Sequence, residues 1–252
     1  MSKIKYGLLI GLNYKQTSFP LAGCWNDVDE MDKYLSSQNY INIVMKDSDS
    51  VSSVFYPNME NIIKQFQFIL SKSPSNIFLY YSGHGGQTFD FDKDELDKKD
   101  ECIWIYDKNN KVVAFTDDKM KQVFIDNLDT KTFLVSVFDS CHSESILDLD
   151  LRYKFIKNKP YFDVITKKQT NKNVISISGC QDHDYSGETF IDGKVRGILT
   201  YFLLYTITKT KTLLPIENIY RSSCQHIKSS NLSLQIPQFC LSKPILRTYN
   251  LI

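Results

Sequence analysis

Two residues of this 252-residue chain have the type and the setting for nucleophilic chemistry, His84 and Cys141. Cysteine attacks as its thiolate, and a nearby imidazole can take the thiol proton or lower its pKa. His84 stands in Ser82-Gly83-His84-Gly85-Gly86-Gln87, directly after the apolar run 77–81. Cys141 stands in Asp139-Ser140-Cys141-His142, directly after the apolar run 132–138. Glycines beside a histidine let backbone N–H groups approach a ligand closely. Gly85 and the N–H of Cys141 would then be donors to a developing oxyanion. Taken singly, His84 can be a turn histidine and Cys141 a core thiol. Two such breaks, each at a strand end, favour one shared site.

The elements that must position them alternate along the chain. Strand-like runs cover 6–12, 41–45, 77–81, 102–106, 132–138 and 174–179. Helical spacing of apolar residues covers 26–35, 59–70, 117–128, 196–207 and 215–227. That alternation predicts an α/β fold, with a mainly parallel central sheet and helices on both faces. Sites in such sheets form at the carboxyl ends of the strands, where His84 and Cys141 both fall. Asn26-Asp27 and Asp117-Asp118 are expected to supply helix N-caps. The basic stretch 149–173 has the weakest pattern and reads as a surface loop within one domain.

Composition narrows the class. The net charge of +1 gives no reason to expect a nucleic-acid or membrane partner. No apolar run approaches the roughly 20 residues of a membrane span. The six cysteines are scattered, which suits free thiols in a reducing, cytoplasmic setting. A monomer is expected.

The motifs "YYSGHGGQ" and "VFDSCHS" resemble the histidine and cysteine motifs of metacaspases, peptidases of the caspase fold. His84 also precedes Cys141 by roughly the 50 residues found in caspases. Further blocks follow in the family's order: "GLNYKQTSFPLAGCWNDVDEM", "DKKDECIWIYD", "AFTDDKM", "ISGCQDHDYSGET" and "QIPQFCLSKPI". The resemblance implies a single caspase-like domain. Its large-subunit-like half is 1–148, its linker loop 149–173 and its small-subunit-like half 174–252. With no prodomain expected ahead of the first block, the calcium-dependent type I core is the nearest counterpart.

The resemblance also implies roles. His84 would be the base, Cys141 the nucleophile, and Gly85 with Cys141 the oxyanion donors. Asp27, Asp139, Ser82 and Cys24 would line the S1 pocket. Two carboxylates there favour a cationic side chain, hence protein or peptide substrates with Arg or Lys at P1. Asp27 could otherwise be only an N-cap, and Asp139 only a turn carboxylate. A calcium site is implied on Asp100, Asp117, Asp118 and Asp148, whose oxygens suit that ion. A solvated acidic loop is the plainer reading of 90–101, and an EF-hand-like loop on Asp90, Asp92, Asp94 and Glu101 lacks its glycine. The cysteine and histidine spacings match no zinc site. Self-cleavage is expected in the basic stretch, at Arg152, Lys154, Lys157, Lys159, Lys167, Lys168 or Lys172.

Two departures from the family pattern stand out. Glu144 replaces the usual glycine after the cysteine, and "DYSGE" (184–188) replaces a Thr-Ser-Ala-Asp type sequence. Glu144 is the main support for an alternative, a non-catalytic or weakly active caspase-fold interaction module.

Overall fold

The structure, a computed structural model, describes residues 4–89, 99–141, 146–156, 159–165, 170–180, 187–210, 214–232 and 235–244. The chain opens with β1 (Lys5–Gly11), α1 (Cys24–Ser37), β2 (Ile41–Lys46), α2 (Met59–Ser71) and β3 (Asn76–Ser82). A small antiparallel sheet follows, of β4 (Gly85–Phe89), β5 (Lys99–Tyr106) and β6 (Val112–Thr116). Next come α3 (Asp117–Lys121), a π-helical turn over Gln122–Asp126, and β7 (Phe133–Asp139). The rest comprises β8 (Leu151–Ile156), β9 (Lys159–Val164), β10 (Asn173–Ser178), β11 (Glu188–Ile191), β12 (Lys194–Gly197), α4 (Ile198–Lys209), α5 (Ile216–Ser230) and β13 (Gln238–Leu241).

Eight strands form the central sheet in the order β2-β1-β3-β7-β10-β13-β8-β9. The run from β2 to β10 is parallel, and β13, β8 and β9 add antiparallel pairings. Side chains alternate across each strand, so each strand feeds two cores. Leu8, Ile10, Leu79, Tyr81, Leu134 and Phe138 face one core, with Ile62, Phe66 and Ile69 of α2. Leu9, Phe78, Tyr80, Val135 and Val137 face the other, with Val28, Met31 and Leu35 of α1 and Leu199 and Leu203 of α4. Helices thus cover both faces, as the alternation predicts. Burial on both sides explains why β3, and β7 but for Ser136, read as near-continuous apolar runs. Each such side chain contributes roughly 1.5–3 kcal/mol by leaving water.

Three local readings need correction. The N-cap of α1 is Gly23, and no side chain caps it; Asp27 lies inside the helix and is buried. The N-cap of α3 is Thr116, whose Oγ1 accepts from the Lys119 amide at 3.5 Å; Asp117 begins the helix proper. The stretch 149–173 is not a simple loop: β8 and β9 within it pair as a hairpin at the edge of the sheet. Tyr153 turns inward and is buried, whereas Arg152 and Lys154 turn outward to Asp163. The alternation was there, obscured by its charge.

Candidate active site

β3 and β7 are parallel neighbours whose register pairs Ser82 with Asp139. His84 and Cys141 each lie two residues beyond that pair, at the carboxyl end of the sheet. The Gly83 amide donates to the Asp139 carbonyl at 3.5 Å, which ties the two strand ends together. Gly85 is packed so tightly that a Cβ there would strike the Cys141 carbonyl oxygen. The two breaks therefore border one cleft of about 340 Å³, lined by His84, Gly85, Ser140 and Cys141 on one side. Cys24, Asp27, Ser82, Asp139 and Gly197 line its buried part, and the exposed Glu188 lies at its rim. Cys141 is in no disulfide, and both it and His84 are half-buried.

His84 is held by its ring. Nε2 lies 2.8 Å from the Phe19 carbonyl oxygen. A carbonyl can only accept, so Nε2 carries the hydrogen, and the lone pair of neutral imidazole is on Nδ1. The Tyr14 ring packs 4.8 Å from the imidazole and the Phe19 ring 5.6 Å away, edge-on. The loop bearing Phe19 is anchored in turn by Asp47, which accepts from the amides of Asn13 and Tyr14 and from Trp25 Nε1.

The four sequence-predicted pocket residues converge and are all buried. Asp27 accepts the Gly197 amide on both oxygens at 3.0 Å and Ser82 Oγ at 3.0 Å. Asp139 Oδ2 accepts the Thr200 amide at 2.9 Å and Thr200 Oγ1 at 2.7 Å. Burial, then the charge of Asp139, pushes the Asp27 carboxyl well above the ordinary carboxylate range. Burial likewise pushes the Cys24 thiol up, so it is inert by comparison with a half-exposed cysteine.

A second acidic group lies on β5 and α3. Oxygens of Asp100, Asp117 and Asp118 fall within 4.8 Å of one another. Burial first, and Asp148 second, push the Asp117 carboxyl up to about 9. Asp148 adopts a left-handed backbone (φ 49°) and lies 3.5 Å from Lys121 Nζ, which is shielded from solvent. Three of the four residues expected to share a site, Asp100, Asp117 and Asp118, come together, whereas Asp148 stands outside that cluster, near enough to raise the Asp117 carboxyl and paired with Lys121. The carboxylate oxygens are donors of the kind a hard cation such as calcium takes. Lys121 was not foreseen.

Neither were Thr200, Gly197, Glu188 and Phe19. Glu188 accepts from the amides of Ala22 and Gly23 at the start of α1. It falls in the stretch 184–188 that departs from the family pattern, which was its only signal. Asp90, Asp92, Asp94, His142, Glu144, Lys157, Lys167 and Lys168 lie outside the described residues.

Comparison with known proteins bears on the whole chain. A family model for the metacaspase peptidase C14 domain matches residues 5–150. The chain belongs to the metacaspase family. It is 30% identical to Metacaspase-1 of Candida glabrata over 97% of its own length and 74% of that protein. Metacaspase-1 of Schizosaccharomyces pombe is 29% identical over 94% of this chain and 67% of its own. Membership of this metacaspase family carries with it cysteine peptidase chemistry on protein substrates. Protein GSU0716 of Geobacter sulfurreducens shares the fold, with a TM-score of 0.68 at 20% identity over 94% of this chain and 93% of its own. No helix among the described residues is long and apolar enough to cross a membrane.

Proposed function

We propose that this metacaspase is an endopeptidase that cleaves after arginine or lysine, with Cys141 as nucleophile and His84 as base. The observation that carries the reading is the β3–β7 register, which ends both residues over a cleft floored by Asp27 and Asp139. Nδ1 of His84 takes the Cys141 thiol proton. The thiolate attacks the scissile carbonyl carbon, and the oxyanion is held by the amides of Gly85 and Cys141. His84 returns the proton to the leaving amine as the C–N bond breaks, leaving a thioester. Water, deprotonated by His84, then attacks the thioester, and the proton passes to the departing thiolate.

Asp27 and Asp139 select a cationic P1 side chain by charge. Their existing bonds hold them rigid and leave lone pairs for a guanidinium or ammonium. Asp100, Asp117, Asp118 and Asp148 would hold calcium, whose charge would offset the repulsion among them. The turn that bears Asp148 leads back to Cys141, so ordering it would steady the nucleophile's strand end.

Self-cleavage belongs to the same reading. Arg152 is its poorest site, because β8 is paired there with both β13 and β9, and Lys154 is paired with β9. Lys159 on the edge strand and Lys172 are better placed.

The test is cleavage of matched peptides with Arg, Lys or Asp at P1. Wild type is expected to cut the basic pair and Cys141→Ala none. Preference for Asp, or undiminished cutting by Cys141→Ala, would overturn the reading.

A further inference from the structure

We infer that the hydroxyls of Tyr14 and Tyr81 are positioning groups for His84, gripping the amide and carbonyl of that residue from within the core. The inference rests on His84 serving as the base, as proposed above.

Both tyrosines are fully buried, and their hydroxyl oxygens lie 2.8 Å apart. The His84 amide donates to Tyr14 Oη at 3.1 Å. Tyr81 Oη donates toward the His84 carbonyl at 2.8 Å. The Trp104 carbonyl lies 2.5 Å from Tyr14 Oη and 3.1 Å from Tyr81 Oη. The Trp104 amide donates to the His84 carbonyl at 3.0 Å.

Two hydroxyl protons therefore serve four clustered oxygens. Tyr14 Oη receives the His84 amide and must send its own proton to Tyr81 or to Trp104. In the first arrangement a closed ring forms: His84 N–H to Tyr14, Tyr14 to Tyr81, and Tyr81 to the His84 carbonyl. Every donor then has an acceptor, as a buried polar cluster requires. Both peptide groups that flank the His84 Cα are thereby fixed, outside any strand ladder. The Tyr14 ring also packs against the imidazole, so one side chain holds both the backbone and the ring. Gly83 fits the same device, since a Cβ there would lie 2.5 Å from Tyr81 Oη and 2.9 Å from Tyr14 Oη.

The chemical consequence is geometric. Nδ1 must meet the Cys141 thiol at hydrogen-bond distance, and small misplacements of a base cost large factors in rate. Tyr14→Phe and Tyr81→Phe keep the packing and remove only the hydroxyls. Each is expected to lower kcat by about tenfold or more with KM within about twofold. Each is also expected to move the pH profile of Cys141 alkylation upward by about one unit, because a loosened imidazole supports the thiolate less well. Tyr56→Phe is the control: it removes a buried hydroxyl bonded to Asn110, and both readouts should stay at wild-type values.

His84→Ala is assayed beside them. If it is inactive while both tyrosine variants keep wild-type kcat and alkylation profile, the positioning role fails and the base reading stands. If His84→Ala keeps full activity, the base reading fails and the positioning role with it. Hydrogen exchange of the wild-type protein removes any dependence on the folding of the variants. The His84 amide should be strongly protected although it lies between strands, and free exchange would refute the ring.

Discussion

The Asp27 carboxylate accepts the Gly197 amide on both of its oxygens, each at 3.0 Å. Asp27 belongs to the first helix of the chain and Gly197 to the residue before α4, so one pair joins the two halves at the floor of the cleft. A Cβ on Gly197 would lie 2.9 Å from Asp27 Oδ2 and would also strike Asp139 Oδ2. The backbone there is ordinary (φ −66°, ψ 135°), so space and not conformation demands glycine.

Gly197→Ala is therefore expected to obstruct the pocket. Overpacking of this kind costs about 1–3 kcal/mol, and KM for basic substrates should rise more than kcat falls. Thermal unfolding and steady-state kinetics on an Arg peptide check both. Wild-type KM would show that P1 binds elsewhere.

Asp139→Asn keeps an oxygen for the Thr200 amide and removes the charge. It should lower kcat/KM on Arg substrates by about 10²-fold with little change in stability. Equal losses on uncharged P1 substrates would point to a structural fault and not to lost charge recognition.

Asp27 makes binding of a cation depend on pH. Its carboxyl is held above the usual range in the free pocket, and a cation favours the ionised form. Binding an arginine-like inhibitor should thus release a proton, and affinity should rise with pH. The sign for folding is opposite. The folded chain keeps this proton after the unfolded chain has lost it, so stability should fall as pH climbs above the ordinary carboxylate range. Calorimetry in buffers of different ionisation enthalpy measures the proton release; affinity that is flat or falls with pH would contradict it.

Calcium binding can be read apart from activity. Asp117 accepts the Glu101 amide on Oδ2 and the Asp118 amide on Oδ1, so Asp117→Asn keeps an acceptor for only one of them; it should weaken calcium binding at a cost in stability of about 1–3 kcal/mol. Lys121→Met removes the ammonium beside Asp148. It should tighten binding by roughly tenfold or more, since a buried cation no longer competes for that carboxylate. Titration calorimetry of both variants decides. Unchanged affinity in both would mark the acidic group as merely structural.

Much of this protein was legible locally. The run at 77–81 is apolar throughout and 133–138 is apolar but for Ser136, because β3 and β7 are buried on both faces. Each ends abruptly on polar residues, which placed His84 and Cys141 at strand ends. Periodicity marked α1, α2, α4 and α5, because burial on one face repeats with the helical turn. What no local pattern contained was which strands are neighbours. The pairing of Ser82 with Asp139 is a long-range choice made by packing both cores at once, and only that choice sets the histidine beside the cysteine. The same holds for Thr200 and Gly197, ordinary residues in sequence that become pocket supports because α4 starts beneath two carboxylates. It holds for Lys121, whose buried ammonium meets Asp148 only across the folded chain. The hairpin within 149–173 is illegible in the sequence for the converse reason: its alternation has one buried face alone, and its charged residues face outward. Residue types decided which chemistry was available to the chain, whereas the distances at which that chemistry operates arise from contacts between segments far apart in sequence.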